Sequence, residues 1–294
     1  MKKVTKNVFA ETEYAGCNSS YIVTEEGIVV IDPPQLPSRA IAMRQEVLEK
    51  KPVKYLINIE HHPDHVFGNY YFNNHGIVVG HENILKKFMF APGINPYEKC
   101  KNDTKEFDPE GMKHFPDNER EYWAHCNKPT ITFKEKMTIK LGEHEFQLYY
   151  LGGHSIGQIC IYCPQERVIF TADNIFSGVQ IWFAEADPFD ILRALDFINN
   201  FDFDYIVPGH GNICRKDQVE INKSFILEWL SVMQAGIANG WSKEKCIEKI
   251  SFEDKYPIDV GLEGMRKQLQ EWNVSKLYDY LLNKGKVKGY EIYP

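Results

Sequence analysis

The chain has 294 residues, 43% of them hydrophobic and 13% aromatic, which excludes a disordered protein and is enough apolar material for one large core or two smaller ones. Its net charge is −7 and no run of Lys or Arg tracks along it, so nucleic acid is not expected as a partner. No stretch approaches the roughly 20 apolar residues of a membrane span, and the basic start Met1-Lys2-Lys3 is not followed by the apolar run of a signal peptide.

The seven cysteines (Cys17, Cys100, Cys126, Cys160, Cys163, Cys214 and Cys246) are odd in number and widely scattered. They are expected as reduced thiols in a cytoplasmic protein without membrane contact.

The first predicted elements are two apolar runs, Tyr21 to Thr24 and Ile28 to Asp32, joined by the turn Glu25-Glu26-Gly27. A helix is expected from Ser38 to about Lys50, then a strand from Tyr55 to Ile59. That strand delivers Glu60-His61-His62-Pro63-Asp64-His65. Carboxylates and imidazoles concentrated at the exit of a buried strand lose hydration, and a divalent cation is the simplest partner that satisfies them together. Val66 to Phe72 then reads as helical and Ile77 to Val79 as a strand. Short strands alternating with helices, their C-terminal ends releasing into polar loops, place sites at those ends.

From His81 to Pro129 polar residues and scattered aromatics hold no long period, and this insert (81–129) is expected to be a lid or substrate-facing element. Strands resume at 130–133, 137–141, 145–151, 158–162 and 168–171. Cys160 and Cys163 form a C-x-x-C, but residues three apart on a strand face opposite ways, so two separate thiols are expected. Asp187 is a natural N-cap, with Pro188 at the first helical position and Ile191, Leu192, Leu195 and Ile198 on one face. After Tyr205-Ile206-Val207 comes a helical tail. Asp217 with Glu220 resembles a capping box, and Phe225, Ile226, Trp229, Leu230, Met233 and Ile237 form an apolar face. That face can cover a core or pair two subunits of a homo-oligomer, and packing on the parent domain is the expected outcome.

Three later segments share the grammar of the first cluster: Leu151-Gly152-Gly153-His154, Thr171-Ala172-Asp173, and Val207-Pro208-Gly209-His210-Gly211, each a ligand-type residue just beyond a strand. The glycines let the backbone turn sharply so that an imidazole projects over a strand end.

With these four segments in order, the chain resembles the metallo-β-lactamase-fold superfamily over roughly residues 15 to 215. The H-x-H-x-D-H motif region lies at 60–65, followed by G-G-H at 152–154, a strand-terminal Asp at 173 and P-G-H-G at 208–211; the early strand pair ending in Asp32 also matches. The resemblance implies an α+β fold, a four-layer αββα sandwich with a two-metal site along one edge. It implies a metallo-β-lactamase-fold domain over 1–215, to which the helical tail adds a C-terminal extension over 216–294 packed on it. Of the metal ligands, Glu60, His62 and His154 would hold one ion, Asp64, His65 and His210 the other, and Asp173 would bridge. His61 falls at the variable position and is not taken as a ligand.

Glu60 departs from the family pattern, which has His there. It remains a competent oxygen ligand, so manganese and iron stand beside zinc as candidate metals. Two cations facing Glu60, Asp64, Asp173 and a bridging hydroxide would sum to zero formal charge, weakening the pull on polyanions. The resemblance therefore implies a dinuclear metal-dependent hydrolase whose bridging hydroxide attacks a small carbonyl substrate: a lactone, thioester, amide or β-lactam. Asp64 would orient the nucleophile. Tyr70, Trp123, Trp182 and Phe183 are candidate pocket residues, with core packing the commoner fate of such side chains. Two other readings are a di-iron oxygen-binding or redox protein on the same scaffold, and a degenerate member that binds a single metal.

Overall fold

The structure is a computed structural model that describes all residues except 14, 91, 92, 94, 184, 254, 256–265 and 284–294, so parts of the expected C-terminal extension and of the 81–129 insert lie outside the described residues. Seven strands, β1 (Lys2–Lys3), β2 (Val8–Glu11), β3 (Ser19–Val23), β4 (Ile28–Ile31), β5 (Val53–Ile57), β6 (Ile77–His81) and β7 (Ile131–Phe133), form one sheet in chain order. It is antiparallel as far as β4 and parallel from there to β7. The run Ile28-Val29-Val30-Ile31 is buried along its whole length, as an inner strand covered on both faces must be.

The second sheet has the order β12-β11-β10-β9-β8, built from β8 (Lys136–Leu141), β9 (His144–Tyr150), β10 (Ile159–Cys163), β11 (Val168–Ser177) and β12 (Tyr205–Gly211). All its pairs are antiparallel except β11 with β12.

The helices are α1 (Pro37–Lys50), α2 (Pro63–Val66), α3 (Glu82–Lys86), α4 (Pro96–Phe107), α5 (Glu119–His125), α6 (Pro188–Asn199), α7 (Asp217–Ala238), α8 (Lys243–Lys249) and α9 (Arg266–Leu282). Three apolar clusters separate the layers. One, with Val29, Ile31, Phe146, Leu148, Ile161 and Phe170, lies between the sheets. A second joins the outer face of the first sheet to α1 and the insert helices through Val30, Met43, Val47, Phe67 and Tyr122. The third joins the outer face of the second sheet to α6, α7, α8 and α9 through Ile169, Leu195, Trp229, Cys246 and Val274. Three cores between four layers make the αββα sandwich that the sequence implies.

Several local expectations change. Among its described residues the 81–129 stretch contains α3, α4, α5 and a 3₁₀ turn over Pro109–His114, with His81 capping α3, Asn95 α4, Asp108 the turn and Asn118 α5. Elements of 5 to 12 residues are too short to impose a visible period. Its aromatics Phe115 and Tyr122 are buried against Phe67, and Tyr97 against Phe115. The capping box at Asp217 does not form. Lys216 already has helical backbone angles and there is no side-chain cap, while Glu220 pairs with Lys223 instead. Asp187 does cap α6, accepting from the amides of Phe189 and Asp190. Phe225, Ile226, Trp229, Leu230 and Met233 of α7 lie in the core outside the second sheet, and Ile237 lies outside that cluster. Cys160 and Cys163 point into different cores, and all seven cysteines are free. Among the described residues, no helix is long and apolar enough to cross a membrane.

Candidate metal centre

Residues 60–65 leave β5 at the seam between the two sheets. The Asn58 amide donates to Val79 of the first sheet, and the Ile159 amide of the second donates to Ile59, both at 2.9 Å. Pro63 then starts α2 while His62, still extended, stands at its N-cap. Glu60 and His62 thus lie before the helix and Asp64 and His65 within it, which separates the motif into two groups of donors.

Asp173 does not end a strand, as expected, but lies inside the longer β11. The register against β12 slips on both sides of Ala172, whose φ is +39°. Such a bulge re-aims the next side chain. Gly209 on β12 faces it: a Cβ there would lie 1.8 Å from Asp173 Oδ1. Gly209→Ala is therefore expected to displace Asp173 and lower bound metal by at least one equivalent, measured by elemental analysis of the purified variant.

The side chains converge as two groups whose ligand atoms lie within 4.8 Å of one another: Glu60, His62, His154 and Asp173, and Asp64, His65 and His210. In the first, His62 Nδ1 is 2.7 Å from Glu60 Oε1 and 3.3 Å from His154 Nε2, which is 3.4 Å from Asp173 Oδ2. In the second, His210 Nε2 is 3.3 Å from Asp64 Oδ2. Asp173 reaches across, with Oδ1 3.2 Å from His65 Nε2 and Oδ2 3.4 Å from His210 Nε2. Glu60 reaches across as well, its Oε1 lying 3.2 Å from His65 Nε2.

Burial works against charge on the acids, yet the imidazoles of His62 and His65 hold the Glu60 carboxyl below its usual range. Those of His210, His65 and His154 hold Asp173 well below it. Against the opposing effect of burial, Asp173 and Asp64 push His210 up to about 10. Burial lowers His154, keeping a ring lone pair available. Glu60 Oε2, Asp173 Oδ1 and His65 Nε2 are buried without a hydrogen bond among the described residues. Unpartnered polar atoms at such depth are costly, and a cation with oxygen and imidazole ligands is the group they fit.

Sequence reading gave no role to the residues that brace this cluster. Asp32, at the C-terminal end of β4 with φ +43°, accepts from the Ile59 amide and lies 2.7 Å from His65 Nδ1, leaving Nε2 to face the cluster. Its place at a strand end, like that of the other site residues, was the available signal. Asn174 binds the backbone of Gly152 and His154, fixing the loop that carries His154. Cys17 donates to the Asp64 carbonyl.

Of the four candidate pocket residues, Trp182 reaches the site, its ring 5.9 Å from that of His62 and 6.3 Å from that of His154. Phe183 is buried against Trp229, while Tyr70 and Trp123 pack on Tyr122 in the insert. His61, set aside as a ligand, lies with His62 beside Glu185.

Compared with known proteins, residues 14–210 match the family model described as metallo-beta-lactamase superfamily. The "Metallo-beta-lactamase type 2" of Elizabethkingia meningoseptica is 27% identical over 233 residues, covering 76% of this chain and 79% of that protein. The human "Acyl-coenzyme A thioesterase MBLAC2" is 24% identical over 98 residues, 32% of this chain and 35% of its own. Among solved structures, the sec-alkylsulfatase Pisa1 from Pseudomonas sp. superposes with a TM-score of 0.70 at 14% identity, over 99% of this chain and 52% of that one.

Proposed function

We propose, since this chain belongs to the metallo-beta-lactamase superfamily, that it is a hydrolase with two metal ions whose substrate is a small carbonyl compound: a lactone, thioester, amide or β-lactam. The observation that carries this reading is the pair of donor groups joined by Asp173, close to both His154 and His65. Glu60, His62, His154 and Asp173 would hold one ion, and Asp64, His65, His210 and Asp173 the other, with Glu60 able to lean toward either. Two divalent ions bound in this way lower the pKa of water to near neutrality and polarise a carbonyl oxygen.

The chain's own residues supply the rest. Asp64 has the most exposed side chain of the seven and lies 3.3 Å from His210 Nε2, so its carboxylate can orient the attacking water and hold its proton. Trp182 walls the His62 and His154 side and excludes bulk water there. Glu60 in place of an imidazole adds a negative charge to the centre, which favours uncharged carbonyl substrates over phosphodiesters. Two relatives, a β-lactamase and a thioesterase by name, support that substrate class. Zinc is the first choice of metal, with manganese and iron admitted by the oxygen-rich first position. A cytoplasmic setting with reduced thiols completes the reading.

The test is an activity panel of lactones, thioesters, β-lactams and phosphodiesters, run on protein loaded with zinc, manganese or iron. Turnover of a carbonyl substrate is expected, and Glu60→Ala should lose about one metal equivalent by elemental analysis. Activity confined to phosphodiesters would overturn the substrate class.

A further inference from the structure

Beside the donor cluster lies a group that the proposed reaction leaves without a part: His61, Glu185 and Lys87. Glu185, in the segment between β11 and α6, is buried, with one oxygen bound by Lys87 Nζ and the other 2.9 Å from His61 Nε2. That same oxygen, Oε1, is 3.9 Å from His62 Nε2. The His62 ring thus has two distinct edges. Nδ1 faces Glu60 and His154, whereas Nε2 faces Glu185 and is buried without a hydrogen bond among the described residues.

The other half of the site shows what such an arrangement does. His65 turns Nε2 toward the cluster because Nδ1 is 2.7 Å from the buried carboxylate of Asp32. An imidazole that gives one nitrogen to a metal carries its proton on the other, and a carboxylate facing that other edge fixes both tautomer and ring orientation. At His62 the nitrogens are exchanged and the carboxylate stands farther off, Glu185 Oε1 facing Nε2 at 3.9 Å without a direct hydrogen bond. We propose that Glu185 is the positioning residue of His62, its carboxylate facing the Nε2 edge of the ring so that, with a cation bound, the proton sits on Nε2 and Nδ1 is left to the half-site of Glu60, His154 and Asp173. The inference rests on the reading above only in requiring a cation at that half-site.

Glu185 is placed for this from several directions. Lys87, just after α3, and His61 hold its two oxygens. The segment leading to it is fastened to α9, where Asn273 accepts from the Phe183 amide at 2.8 Å and donates to the Ile181 carbonyl at 2.9 Å. The C-terminal helix thereby reaches the metal centre without contributing a ligand. A third metal held by His61, His62 and Glu185 fits less well, because the Lys87 ammonium already supplies the positive charge that Glu185 requires and His62 Nδ1 is directed elsewhere.

The experiment titrates metal-free wild type, Glu185→Gln, Glu185→Ala and Asp32→Asn with cobalt(II), reading the absorption of each equivalent, with the thermal midpoint of each metal-free protein as a control for folding. Both Glu185 variants are expected to weaken one equivalent by about 10–100-fold, the range seen when a carboxylate behind a ligating histidine is removed. Asp32→Asn should weaken the other equivalent. In the zinc-loaded wild type, ¹⁵N chemical shifts should place the His62 proton on Nε2. Unchanged affinities in the Glu185 variants, loss of the same equivalent as in Asp32→Asn, equal loss of both with a lowered metal-free midpoint, or a proton on Nδ1 would each overturn the proposal. Uptake of a single equivalent by wild type would instead sink the two-metal reading, while the Glu185 comparison would still report on its own half-site.

Discussion

Asp173→Ala is expected to bring metal content from two equivalents to one or none and to lower hydrolysis by at least about 10²–10³-fold, the scale lost when a single group stabilising transition-state charge is removed. Asp173 is the side chain within 3.4 Å of His154, His65 and His210 together, so its removal opens both donor groups at once. It also leaves His210 with Asp64 as its remaining acidic partner, at 3.3 Å. Because the carboxylate shared by both donor groups is gone, the loss should not be recovered by raising zinc into the micromolar range. Metal analysis after gel filtration, together with kcat on the carbonyl substrate found in the panel, checks it. Two retained equivalents would remove Asp173 from the bridging role.

Trp229→Ala is expected to destabilise the protein by about 3–5 kcal/mol, the range for truncating a buried aromatic. Trp229 is fully buried in the core outside the second sheet, packed on Phe252 at 4.3 Å between ring centroids, and edge-on to Phe183 and Phe225. Truncation leaves a cavity among Phe183, Phe225 and Phe252. Its indole N–H makes no hydrogen bond among the described residues. Trp229→Phe forfeits less, because it removes a buried donor whose desolvation is uncompensated. Urea unfolding of the two variants should separate them clearly, and equal midpoints would mean that the ring volume is not what this core depends on. Since Phe183 adjoins Trp182, the Ala variant is also expected to loosen the wall beside His62.

Much of this protein was legible from its chain. The apolar runs gave the strands because a strand buried on both faces must be continuously hydrophobic, and β4 and β10 are. The cluster at 60–65 and the later His154, Asp173 and His210 were legible because ligand-type residues beside glycines at strand ends have few other uses, and the structure brings all seven proposed ligands together. The short helices of 81–129 escaped because elements of 5 to 12 residues carry too few turns for a repeating face to stand out.

The order of the motifs along the chain, and the family resemblance it carries, gave the layer order and the candidate donor set. Tertiary structure decided which nitrogen of each imidazole faces inward, that Asp173 is aimed by a bulge opposite Gly209, and that Asp32 and Glu185 stand behind His65 and His62. Those pairings join residues 33 and 123 positions apart, and proximity across such separations arises only when the two sheets and α9 are packed together.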